Sequence, residues 1–169
     1  AQETERSQRD PETNDTVLSG DIGNTGFPGD NSYHVVQISS DANVIIDGFT
    51  IEDGWASVST APDNSGAGVW AESGSDLTLK NIRLQNNTAF GDGGVGGGLY
   101  SEGTVSAANV EVTGNTADAD GGGIHVSDTF DAANVTFVNN EAGQDGGGLH
   151  MTGNSGTLAN ILLDGNQAG

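Results

Sequence analysis

Glycine triplets stand at Gly96-Gly97-Gly98, Gly121-Gly122-Gly123 and Gly146-Gly147-Gly148, so the step from 96 to 121 to 146 is 25 residues each time. Each triplet runs into the same kind of segment: Leu99-Tyr100, Ile124-His125 and Leu149-His150. A fixed step of this length writes out one supersecondary unit again and again. Such a unit buries its apolar face only by stacking on its neighbours, which is the logic of a solenoid.

Other columns keep the same step. An asparagine recurs at Asn81, Asn109, Asn134 and Asn160, with Gly48 in the equivalent earlier place, giving steps of 33, 28, 25 and 26. Six residues further on a second asparagine recurs at Asn87, Asn115, Asn140 and Asn166, followed by the small residues Ala89, Ala117, Ala142 and Ala168. The longer early steps are taken up by inserted loops near 61–66 and 91–95. Between the markers, apolar residues alternate with a period of two, the mark of strands with one face inward. Phe49, Ile82, Val110, Val135 and Ile161 form one inward column, and Ile51, Leu84, Val112, Phe137 and Leu163 the next. Segments at Val44-Ile46, Leu77-Leu79, Val105-Ala107 and Phe130-Ala132, and those after the glycines, supply two more strands per turn. Three short strands in about 25 residues predict an all-β chain wound as a single-stranded parallel β-helix.

In such a fold a column of the alignment becomes a ladder with rungs roughly 4.8 Å apart. Both asparagine columns (Asn81, Asn109, Asn134, Asn160 and Asn87, Asn115, Asn140, Asn166) are expected at corners between strands, their amides bonding to unpaired backbone and to each other. The glycine triplets are expected to make sharp turns with positive φ. They are not phosphate loops, because the Lys-Ser/Thr and helix that such a loop requires do not follow.

Phe137-x-x-Asn140 with Gly146-Gly147-Gly148-Leu149, echoed by Leu84-x-x-Asn87, Val112-x-x-Asn115 and Leu163-x-x-Asn166, resembles the FxxN and GGA(I/L/V) repeats of polymorphic outer-membrane and autotransporter-like surface proteins, with glycine in place of the third-position alanine. The segments SQRDPETNDTVLSGDIG, DNSYHVV and IIDGFTIEDG are similar to the opening coils of large secreted bacterial right-handed β-helix proteins. The resemblance implies the fold and an extracellular or cell-surface setting in a bacterium or archaeon. It names no chemistry, since one fold carries many activities.

Four Lys and Arg against 24 Asp and Glu give a net charge of −20, which argues against nucleic acid and anionic membranes as partners. So acidic and lysine-poor a surface suits high ionic strength, hence a marine or halophilic habitat. Cysteine is absent, and no apolar run is long enough for a membrane-inserting helix. Residues 1–30 are expected to be an irregular N-terminal segment with a first strand near 16–22, and 31–169 one continuous set of coils. Because Asn166-Gln167-Ala168-Gly169 reproduces the middle of a repeat, the chain is expected to be a segment of a longer protein. Its ends are then open to self-association or to neighbouring domains.

Function is expected on the outward positions. Trp70, Tyr100, His125 and His150 follow the inward residue of the glycine-led strand and should stack as an exposed ladder, fit for a glycan, a host-surface protein or another copy. The favoured reading of the same stack is that it simply stabilises a flat parallel sheet. Two histidines one rung apart could share a transition metal, but no third ligand is evident in the sequence. Asp120 and Asp145 each precede a triplet and stack upon one another, so Asp92, Asp118, Asp120 and Asp145 form a candidate calcium set. For catalysis, Asp47, Glu52 and Asp53 are the acids a glycoside hydrolase could use. Lyases of this architecture need basic residues, and Arg83 is expected instead in a surface ion pair with Glu111. No Thr-x-Thr column of an ice-binding face is present. The expected role is a non-enzymatic structural or adhesive solenoid, with a carbohydrate-active β-helix as the alternative.

Overall fold

The computed structural model describes residues 15–59, 63–153 and 155–169. Of the segment expected to be irregular, 1–14 lie outside the described residues, as do 61 and 62 of the first inserted loop. Period-two alternation makes every regular element a strand, apart from one 3-10 turn at Pro28–Asp30. All the strands pair in parallel, with partners from successive coils. Among the described residues no helix is long and apolar enough to cross a membrane.

Three sheets run along the stack. The longest holds β1 (Val17–Ser19), β3 (Asn43–Asp47) with β4 (Thr50–Glu52), β7 (Asp76–Gln85), β10 (Thr104–Thr113), β13 (Phe130–Val138) and β16 (Leu158–Asp164). The second holds two-residue strands: β5 (Trp55–Ala56), β8 (Thr88–Ala89), β11 (Thr116–Ala117), β14 (Glu141–Ala142) and β17 (Gln167–Ala168). The third is the glycine-led sheet of β2 (Val36–Ile38), β6 (Val69–Ala71), β9 (Leu99–Ser101), β12 (Ile124–Val126) and β15 (Leu149–Met151). Three strands per coil are therefore present, divided otherwise than the alternation suggests. The first asparagine column does not separate strands: Asn81, Asn109, Asn134 and Asn160 sit inside β7, β10, β13 and β16 with φ of 51°, 55°, 56° and 54°. A left-handed residue there bends one long strand while its pairing continues on both sides, a conformation Asn tolerates better than most residues. Gly48 holds the place between β3 and β4 at φ 79°.

The inward columns meet in one core. Ile51, Leu84, Val112 and Phe137 are fully buried, as are Leu77, Leu79, Leu99, Ile124 and Phe130, all with relative exposure of 1% or less. At the edge strand β16 the same column ends in Leu163, which is 57% exposed.

The second asparagine column is buried at Asn87, Asn115 and Asn140. In it, Nδ2 of Asn87 donates to Oδ1 of Asn115 (3.0 Å), Asn115 to Asn140 (3.0 Å) and Asn140 to Asn166 (2.8 Å). The same Oδ1 atoms accept the backbone N–H of the preceding asparagine, and each Nδ2 also reaches a strand-end carbonyl, Leu84 O in the case of Asn115. The first column makes a surface ladder of opposite sense: Asn160 donates to Asn134, Asn134 to Asn109, Asn109 to Asn81, and Asn81 to Asp47 Oδ1.

Only the first glycine of each triplet is left-handed, with φ of 64°, 65° and 64° at Gly96, Gly121 and Gly146. The second is required by close approach. A Cβ on Gly122 would run into the carbonyl oxygens of Glu141 and Gly147, the latter at 2.5 Å. The third packs on the buried amides, since a Cβ on Gly123 would lie 3.2 Å from Asn140 Cγ.

Candidate functional site

The left-handed first glycine turns the chain sharply into the short strands of the third sheet, and parallel pairing then fixes the outward side chains in register: Trp70 beside Tyr100, Tyr100 beside His125, His125 beside His150. The rings touch edge to face, Tyr100 on His125 with centroids 5.4 Å apart and His125 on His150 at 4.7 Å. These are favourable geometries for aromatic pairs.

The ladder is less exposed than its outward register implies. Trp70 and His125 are only 9% and 6% exposed, while Tyr100 and His150 are half-buried. Neighbouring loops supply the cover. His34 stacks on Trp70 with centroids 5.9 Å apart, and its Nδ1 lies 3.1 Å from the Gly66 carbonyl oxygen. The Trp70 indole N–H and His34 Nε2 are buried without a hydrogen bond among the described residues, the latter 3.6 Å from Asp63 Oδ1. Tyr100 donates from its hydroxyl to Glu102 at 3.1 Å, and burial raises its phenol above the ordinary range, with a Ser127 hydrogen bond working against the rise.

At the lower end of the ladder Asp120 folds back over the imidazoles. Its Oδ2 lies 3.6 Å from His150 Nδ1, which in turn is 3.3 Å from His125 Nδ1. Burial and the neighbouring His150 lower His125 to about 4 against the pull of Asp120, so its imidazole is neutral near pH 7. The third metal-ligating side chain that the sequence reading lacked beside the two histidines is Asp120, five residues before His125 and across the glycine turn. Both coils carry the same string: Asp120-Gly121-Gly122-Gly123-Ile124-His125 and Asp145-Gly146-Gly147-Gly148-Leu149-His150. Taking the carboxylates and the imidazoles as separate columns hides that signal.

Among the described residues the one convergent group of three metal-ligating side chains is Asp120, His125 and His150, so no three of Asp92, Asp118, Asp120 and Asp145 come together. Asp118 Oδ2 accepts the Gly91 N–H at 2.9 Å, Asp120 Oδ1 accepts the Asp145 backbone N–H at 3.0 Å, and Asp92 and Asp145 are exposed.

The remaining acids also divide. Asp47 accepts the Asn81 amide on the surface ladder, away from Glu52 and Asp53 at the next corner. Burial, then the Glu52 charge, raises the Asp53 carboxyl above its ordinary value, while Gln85 bonds Glu52. Arg83 Nε pairs with Glu111 at 3.0 Å with both side chains well exposed, a surface contact of small value. Two aromatics outside the repeat columns stack as well: Trp55 on Phe90, centroids 5.7 Å apart, with Phe90 51% exposed.

A family model described as a right handed beta helix region matches residues 13–168. No curated protein and no solved structure matches the chain.

Proposed function

The chain belongs to the right-handed β-helix family, and from that premise we propose that it works as a rigid, non-catalytic contact segment of a secreted or surface-anchored prokaryotic protein. The observation that carries this reading is the in-register outward ladder, in which half-buried Tyr100 and His150 each pack against the buried His125 ring. Rings fixed in this way lose little conformational entropy when a sugar or a protein surface lies against them. The exposed Phe90 on Trp55 offers a second platform of the same kind. The resemblance to autotransporter-like repeats supports the cell-surface setting. The charge of −20 favours neutral glycans, or protein surfaces with basic residues, and a salt-rich habitat.

Pull-down on a panel of insoluble polysaccharides and fixed cells tests the reading. Retention of the parent chain, reduced on Tyr100→Ala or Phe90→Ala with no reducing ends released, is the expected result. Equal retention of parent and both variants would sink it. The carbohydrate-active alternative rests on one observation, the raised Asp53 carboxyl beside Glu52. Reducing-end release that disappears on Asp53→Asn would establish that reading instead.

A further inference from the structure

We propose that Asp120, His125 and His150 form a binding site for a borderline divalent cation of the zinc and cobalt type. Three ligands at ~2.1 Å from a tetrahedral ion stand about 3.4 Å from one another. His150 Nδ1 is 3.3 Å from His125 Nδ1 and 3.6 Å from Asp120 Oδ2, and the three donor atoms all lie within 4.8 Å of one another. Two of the three separations therefore match the ion's geometry as they stand, and the ligand atoms of all three residues lie within 4.8 Å of one another.

The supporting contacts aim the donors. Asp120 Oδ1 is taken by the Asp145 N–H at 3.0 Å, which leaves Oδ2 directed at the imidazoles, as outer contacts do in metal sites. His125 is buried between Tyr100 and His150, so its ring position is set by packing on both sides. Gly121, left-handed at φ 65°, brings Asp120 back over a histidine five residues ahead. Imidazole nitrogen selects zinc, cobalt, nickel or copper over calcium and magnesium, which favour oxygen. Three protein ligands leave the remaining coordination to water on the half-exposed side of His150.

The test is cobalt titration of the full chain, followed by visible absorption and equilibrium dialysis. The expected result is one cobalt per chain with d–d absorption, displaced by zinc and unaffected by excess calcium. Asp120→Asn and His150→Gln, both at partly exposed side chains, each weaken binding by more than about ten-fold. Glu102→Gln, outside the set, leaves it unchanged. A readout that needs no variant is the long-range proton–nitrogen spectrum, in which zinc must shift the ring nitrogens of both His125 and His150. Absence of stoichiometric binding, binding indifferent to both substitutions, or shifts confined to His34 would overturn the proposal. Polysaccharide retention does not enter these measurements, so the contact function and the metal site stand or fall separately.

Discussion

Replacing Asn115 by alanine tests which of the two ladders holds the coils together. Asn115 is fully buried and makes four side-chain hydrogen bonds: Nδ2 to Leu84 O at 2.9 Å and to Asn140 Oδ1 at 3.0 Å, and Oδ1 from the N–H and the Nδ2 of Asn87, both at 3.0 Å. Two of the partners keep another bond after truncation, since Asn87 Nδ2 still reaches Ile51 O and Asn140 Oδ1 still accepts the Asn115 N–H. The Leu84 carbonyl and the Asn87 N–H lose these contacts inside the core. At about 1–3 kcal/mol for each buried polar group so stranded, the loss is about 4 kcal/mol before any cavity term. Asn109→Gly in the surface ladder is the matched control. It also removes two amide bonds, but water replaces them, and glycine accepts φ 55° without strain, as Gly48 does in the same column two coils earlier. That change stays within about 1 kcal/mol. Urea unfolding followed by circular dichroism, with slopes compared to verify a common unfolding reaction, measures both. Equal midpoints for the two variants, or a loss below about 1 kcal/mol for Asn115→Ala, would refute the claim that the buried amides hold the stack.

His125 gives a pH dependence in chelator-treated protein. Its folded value of about 4 lies below the ordinary 6.5, so the unfolded chain takes up the proton first and stability falls as pH drops from about 6.5 toward 4. The ceiling is ~3 kcal/mol; His125→Asn, compared by thermal melts at pH 7 and 5, should show a shallower decline, and an unchanged decline would exclude His125 as its source. Gly122→Ala should prevent native stacking, because the new methyl meets backbone of the next coil, whereas Gly93→Ala has open space around it and carries only the strain of φ 77°. Loss of the cooperative melt in the first variant alone is the expected outcome. With a net charge of −20, moving from 10 mM to about 1 M sodium chloride should raise the melting temperature by screening self-repulsion. A melting point independent of salt would remove the physical basis for the saline-habitat reading.

The repeat columns made the architecture legible, because parallel stacking maps a constant step directly onto strand register. Ile51, Leu84, Val112 and Phe137 fall in one core column for that reason. Corner chemistry was legible only in part. The left-handed residue before each place of the second asparagine column, where Gly54 stands in the earliest coil, alternates as Asp53, Asn86, Gly114, Asn139 and Gly165, and a mixed column of Asn, Gly and Asp does not stand out by identity. The burial of Trp70 depends on His34, which belongs to no repeat, so periodicity carries no information about it. The Asp120–His125–His150 cluster was hidden differently. Its members occupy two columns that lie on opposite sides of the glycines in the sequence, and the left-handed turn at Gly121 brings them together.

The opposed senses of the two asparagine ladders give every coil a head and a tail. A cut between any two of these coils would free an inward amide donor and an outward carbonyl on one face, and the reverse pair on the other. Each face is the complement of the other and a mismatch to itself. Coils of this kind can be duplicated, deleted or exchanged as whole units along one direction, and an inverted coil is rejected at both ladders at once. The length of such a rod is thereby free to drift by whole coils while its polarity stays fixed.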